Sequence, residues 1–144
     1  MPGGEPVEQQ VKEFILAANE GWAGAARALD DQRLPIWFSG KALEDQRHQI
    51  AVGREHQFRI EYEKPEIVFQ SIQAAERSAE TTVITEEGWA YRTIEVSSDK
   101  CLFQVSRNRT RVTYRLRLAG GHWTIFASES EQLAERPARR PCEP

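Results

Sequence analysis

The side chains best able to do chemistry in this chain are few: three histidines, two cysteines, and a short run in which arginine recurs at alternate positions. His48 and His56 stand eight residues apart in a segment of helical periodicity. That spacing puts them about 12 Å apart along a helix axis, too far to share one metal ion. His122 directly follows Gly120-Gly121 and reads as a solvated turn residue. Cys101 and Cys142 are widely separated, the second in a proline-rich tail, so the pattern suggests neither a disulfide framework nor a thiolate metal site and fits a reducing compartment. No Gly-x-Ser-x-Gly turn, no phosphate-cradling glycine loop ending in Lys-Ser/Thr and no dinucleotide fingerprint occurs. The sequence therefore implies no metal, no cofactor and no catalytic residue set.

The arginine run is the most pronounced feature. Arg109, Arg111, Arg115 and Arg117 alternate with Val112, Tyr114, Leu116 and Leu118, the period of a strand with one covered face. Side chains two apart on a strand lie about 7 Å from one another, so the row, with Arg107 as an extension, could grip phosphates, RNA or a carboxylate-rich peptide. A neighbouring strand that offers Glu80 and Glu86 on its own polar face would pair with the row and largely neutralise it.

The elements that must hold these residues follow from periodicity. Val11, Phe14, Ile15, Ala18, Trp22, Ala25, Ala26 and Leu29 predict a long amphipathic helix. Asp30 and Asp31 can cap a short second helix around Leu34, Pro35, Ile36, Trp37 and Phe38. Ser39-Gly40 breaks it, and Leu43, Arg47, Ile50 and Arg54 line a third helix to about His56, with Glu44 placed to meet His48 one turn on. From Phe58 the period becomes two. Strands are expected at Phe58–Tyr62, around Ile67–Ile72, from Ala79 to Arg92 with Val83, Thr85, Trp89 and Tyr91 inward, at Arg109–Leu118, and at His122–Ser128 after a Gly120-Gly121 hairpin. Glu87 beside Gly88 suits a turn, and Asp99 falls in a loop. Residues 1–6 and 131–144 are expected to be flexible, leaving one domain over 7–130.

Bulk properties set the limits. With 40% hydrophobic residues, four tryptophans and six phenylalanines, the chain can build a core without staples. A net charge of −3 argues against general affinity for nucleic acid or anionic lipid, which need a basic surface field. No stretch approaches the roughly 20 apolar residues of a membrane span. The opening Met-Pro-Gly-Gly-Glu-Pro has neither the basic nor the apolar part of an export signal, so a soluble, cytoplasmic protein is expected.

Helices followed by an antiparallel sheet with aromatics on one face resemble the cone-shaped fold of nuclear-transport-factor-two-like proteins. Leu34, Ser39-Gly40 and Leu43, followed by Tyr114-Arg115-Leu116 and Gly121-His122-Trp123-Thr124-Ile125, look like the intermembrane-space-type C-terminal domain of plastid-division proteins and its cyanobacterial and other bacterial relatives. The resemblance spans Val7 to Ala127 and consists mainly of core and turn residues. It implies an α+β domain, N-terminal helices on a strongly curved antiparallel sheet of about four strands, that is non-catalytic and docks a segment of a partner protein. Enzymes of that fold place an acid or a histidine on the inward sheet face, where the candidates here are apolar or aromatic.

Trp22, Trp37, Phe38, Trp89, Tyr91, Phe103, Tyr114 and Trp123 pack a core by default. An open cone mouth would instead be lined by Trp37, Tyr91 and Tyr114, with Trp123 added as a ligand- or peptide-binding residue and the arginine row as a partner surface. The sequence thus points to a binding or scaffold domain for a protein or peptide segment, compatible with a homodimer. The alternative is a binder of a small apolar ligand, or an isomerase- or dehydratase-like enzyme using the cavity, with Tyr91, Tyr114 and Asp99 as its polar candidates.

Overall fold

Val11, Ile15, Ala18, Ala25 and Ala26 recur at helical spacing, and in the computed structural model, which describes residues 7–74 and 80–143, they form the buried face of helix α1 (Val7–Ala28). Phe14 and Trp22 flank that face, half-buried against the core. The expected flexible residues 1–6 and the start of the third expected strand at Ala79 lie outside the described residues.

The expected second helix is only a single 3-10 turn at Leu34–Ile36. Pro35 lacks an amide N–H, and the chain beyond it leaves the helical path to pair with a strand. The amide of Ile125 donates to the Trp37 carbonyl at 2.8 Å, and the Ser39 amide donates to the Ile125 carbonyl at 2.9 Å. Gly40, at φ +53°, then turns the chain into helix α2 (Gly40–His56), which buries Ala42, Ile50 and Gly53. Arg47 and Arg54 of the expected line both reach back to Asp31 at 3.8 Å. Glu44 and His48 form no ion pair among the described residues.

Among the described residues the sheet has six antiparallel strands: β1 (Phe58–Tyr62), β2 (Glu66–Ala74), β3 (Glu80–Glu95), β4 (Lys100–Ala119), β5 (His122–Gln132) and β6 (Arg139–Arg140). The order is β1-β3-β4-β5, so four strands make its main path, and two more lie off it. Because β4 takes one edge of β3, β1 and β2 share the other edge as two halves of one strand broken before Pro65. The break faces the Trp89/Tyr91 irregularity in β3, where the register with β4 jumps from Asn108 to Val105. Aligned irregularities in neighbouring strands bend a sheet sharply, and this one curves around the two helices. Gly120 and Gly121 both have positive φ, as a two-residue hairpin between β4 and β5 requires.

The core lies between the helices and the inner sheet face: Val11, Ile15, Leu34, Val83, Leu116 and Ile125 are almost completely buried. Beyond β5 the chain continues along the same edge of β4. The Leu133 amide donates to the Arg109 carbonyl at 3.0 Å, and Arg139 and Arg140 pair with Val105 and Gln104. Cys142 is joined to Cys101 by a disulfide. This corrects the reading that the two cysteines do not pair, and it puts part of the span expected to be a flexible tail against β4. Forty-one residues separate the pair in sequence, and only the long β4, which places Cys101 beside the chain end, brings them together.

Candidate functional site

The inner face of β3 carries Thr81, Val83, Thr85 and Glu87 in strict alternation, followed by Trp89 and Tyr91. Glu87 therefore belongs to the strand interior, which overturns its assignment to a turn. It is only 4% exposed. Gly88 serves the opposite face, where a Cβ would lie 2.7 Å from Cδ of Arg107, whose stem crosses over it.

Three donors meet the Glu87 carboxylate. Thr85 Oγ1 donates to Oε2 at 2.6 Å, the Tyr114 hydroxyl donates to the same oxygen in a short bond, and Trp89 Nε1 donates to Oε1 at 2.7 Å. An indole N–H can only donate, so the set suits a carboxylate that accepts on both oxygens. Asn19 Nδ2 on α1 in turn donates to the Tyr114 hydroxyl at 3.1 Å and to the Ile15 carbonyl at 3.0 Å. Burial is the main reason the Tyr114 phenol is held well above its ordinary pKa, with the adjacent Glu87 adding to it. Tyr114 is thus a hydrogen-bond donor at neutral pH and neither a base nor a nucleophile.

These groups form the floor of a pocket of about 370 Å³ between α1, α2 and the sheet. Its wall is aromatic and centred on Tyr62, whose ring lies 5.1 Å from Trp89, 5.8 Å from Tyr91 and 6.4 Å from Trp22. Burial also raises the Tyr62 pKa. The rim carries the exposed Asp45 and Gln49 of α2 and Ser130 of β5. Among the described residues no arginine, lysine or histidine lines the pocket.

Of the four residues expected to bind a ligand or peptide, the structure brings two together. Tyr91 and Tyr114 line the pocket. Trp37 lies elsewhere: its indole covers Gly21 of α1 so closely that a Cβ there would be 2.3 Å from the ring, and it borders a separate concavity with Arg33. Trp123 pairs with Leu118 across β4 and β5 and packs half-buried against the core. His122 is exposed, but it opens β5 opposite Ala119 rather than sitting in the turn, and its Nε2 donates to the Ile36 carbonyl at 2.9 Å, tying the hairpin to the 3-10 turn. Asp99 does not line the pocket and is ion-paired with Arg59. The missed residues are Asn19, Trp22, Tyr62, Glu87 and Trp89. For Glu87 the signal was present, since it is the one odd position passed over between Thr85 and Trp89.

The arginine row lies on the outer face of β4, exposed throughout. The expected neutralisation occurs in part: Arg111 pairs with Glu86 at 3.3 Å and Arg117 with Glu80 at 3.7 Å, while Arg107 pairs with Glu66. Arg117 also stacks 4.4 Å from the Phe126 ring centre. Among the described residues, no carboxylate lies within ion-pairing distance of Arg109 or Arg115.

No protein family model and no curated protein matches the chain. Among solved structures, the intermembrane space region of the chloroplast protein ARC6 superposes with a TM-score of 0.74 at 10% identity, covering 86% of this chain and 95% of that one. CagV, a VirB8 homolog of T4SS from Helicobacter pylori, gives a TM-score of 0.46 at 11% identity over 72% of this chain and 80% of that one. The first likeness establishes the fold: two helices on a curved antiparallel sheet, of the nuclear-transport-factor-two-like kind and similar to the plastid-division domain that the core and turn residues suggested.

Proposed function

We propose that this chain is a non-catalytic binding domain that takes a segment of a protein partner into the pocket between α2 and the inner face of β3 and β4. The observation that carries this is the state of Glu87: its oxygens already accept from Thr85, Tyr114 and Trp89, so the group is fixed as a recognition element rather than held ready to remove a proton. At 10% identity the likeness to the ARC6 region supports the architecture, and the function rests on the site. The second reading, a small-molecule binder or a cone-fold enzyme of the isomerase or dehydratase kind, is favoured by one fact: the pocket holds a buried carboxylate beside a phenol.

Selection of peptides from a displayed library on the immobilised domain, followed by proton–nitrogen NMR, tests the proposal. Selected peptides should shift the amides of Glu87 and Tyr114 and the indole N–H of Trp89. Peptides that shift only the outer face of β4 would sink the pocket and leave the arginine row as the partner surface.

Among the described residues no helix is long and apolar enough to cross a membrane. The cytoplasmic location inferred from the amino terminus is opposed by the Cys101–Cys142 disulfide, since such bonds persist mainly in oxidising compartments. The disulfide favours an oxidising compartment, and a homodimer through the arginine face belongs to the same proposal.

A further inference from the structure

A buried carboxylate normally has a cationic partner, because removing an isolated charge from water is costly unless another charge and further hydrogen bonds offset it. Glu87 has the hydrogen bonds but not the partner: among the described residues no arginine, lysine or histidine forms an ion pair with it. Among the described residues the pocket it floors is lined by no basic side chain, and its other carboxylate, Asp45 on the exposed rim, is already paired with Lys41 at 3.2 Å, which leaves Glu87 as the charge without a counter-ion. Two further acceptors line the same space unused. Gln46 Oε1 and Asn108 Oδ1 are buried and have no hydrogen-bond partner among the described residues.

The wall adds a second, independent preference. Trp22, Trp89 and Tyr91 gather within ring-contact distance of Tyr62, and aromatic rings attract cations through their quadrupoles, more strongly where water is excluded. Trp89 belongs to both sets, because its indole N–H is bound by Glu87 while its ring meets Tyr62. An anion would meet the unpaired charge of Glu87 here, and a neutral apolar group would leave the Gln46 and Asn108 oxygens without donors. A quaternary ammonium would satisfy the rings but has no N–H for those oxygens. A primary ammonium on an alkyl stem satisfies the charge, the rings and the acceptors together.

We infer that the pocket is a site for a primary alkylammonium group, with Glu87 as its counter-charge and Trp22, Tyr62, Trp89 and Tyr91 as its cage. This rests on the pocket being the binding site proposed above and specifies the ligand chemistry. The same group can come from a lysine side chain of a protein segment or from a free amine.

The test is a titration of the intact protein with n-butylammonium, n-pentanol, tetramethylammonium and butyrate, read by tryptophan fluorescence and by the indole N–H resonance of Trp89. An acetyl-Gly-Lys-Gly-amide peptide forms a further arm, with its norleucine analogue as control. Butylammonium should bind saturably, at least about tenfold more tightly than its neutral isostere pentanol, with tetramethylammonium between them and butyrate weakest. The lysine peptide binding more tightly than butylammonium would identify a protein segment as the source, and the reverse order a free amine. Glu87→Gln should lower butylammonium affinity by at least about tenfold. Because that variant could disturb folding, the pentanol comparison on the unaltered protein stands as the separate measure, and Asp45→Asn on the exposed rim should give a smaller loss with an unchanged spectrum.

Pentanol or butyrate binding as tightly as butylammonium, or no amine-dependent change at Trp89, overturns the inference. If neutral or acidic peptides nevertheless occupy the pocket, the binding-domain reading survives while the cation does not. If peptides bind only elsewhere, both fall.

Discussion

Tyr114 shows how much depends on one hydroxyl. It donates to Glu87 and accepts from Asn19, so Tyr114→Phe leaves a buried carboxylate short of one donor while removing almost no volume. Urea denaturation should show a loss of about 1–3 kcal/mol, the cost of an unmet buried polar group, with a native-like folded spectrum. The same phenol predicts a pH dependence. Its folded pKa is raised above the ordinary value near 10, so the folded state holds a proton that the unfolded chain gives up. The corresponding stability is fully present below about pH 10 and is lost as pH rises through the higher folded value. Ultraviolet titration of the three tyrosines should accordingly show Tyr114 and Tyr62 resisting ionisation until the chain unfolds. A single unshifted titration of all three would contradict the buried network. Tyr91 and Tyr114 were legible as inward residues from alternation alone, and so in principle was Glu87. Its charge and its glycine neighbour pointed to a turn, because sequence does not show that Gly88 is needed for the stem of Arg107.

The elements differ in how far local pattern decides them. Both long helices and the Gly120-Gly121 hairpin follow from periodicity and turn chemistry, which act within a few residues. The first half of β4 did not, because its alternation is interrupted opposite the Trp89/Tyr91 irregularity, and a period of two cannot be followed across such a break. The reduction of the second helix to one turn depended on Ile125, a residue distant in sequence. Close approach of α2 to β1 gives a prediction in which two effects oppose. Gly53→Ala should stabilise an isolated helix by about 1 kcal/mol. Here, though, the new Cβ would lie 2.9 Å from the Phe58 carbonyl oxygen and 2.8 Å from Leu29 Cδ2, and backbone yields little. Overpacking of this kind costs about 1–3 kcal/mol, so net destabilisation is expected in chemical denaturation. The β6 segment is held by two ladder pairs and the disulfide. Reduction, or Cys142→Ser, should lower stability by about 2–4 kcal/mol for a loop of this length and speed amide exchange at Gln104 and Val105. Unchanged exchange there would mean that β6 stays docked without the bond.

For the molecule as a whole, the two faces of the sheet differ in chemistry. The inner pocket is acidic and aromatic, and the outer face of β4 is a partly paired arginine row. Exposed pairs such as Arg111–Glu86 and Arg117–Glu80 contribute little to stability, so replacing these arginines should leave the unfolding midpoint nearly unchanged. Arg109 and Arg115, without carboxylate partners among the described residues, are where association would be felt. If the face mediates a homodimer, light scattering should give twice the 16.5 kDa chain mass, falling to the monomer with Arg115→Glu. A mass unaffected by that substitution removes the arginine face as a dimer surface.

The sequence by itself determined the fold class, the long helices, which face of β3 and β4 turns inward, and the outward arginine row, because periodicity is a local property that burial imposes residue by residue. Only the tertiary structure decided that Trp37 and Trp123 lie away from the pocket, that Cys101 meets Cys142, and that Asn19, Tyr62 and Trp89 line one pocket with Glu87. Each depends on strand register, on the bend at Pro65 and Trp89, and on where α1 and α2 cross the sheet. These are relations between distant segments that no local pattern encodes.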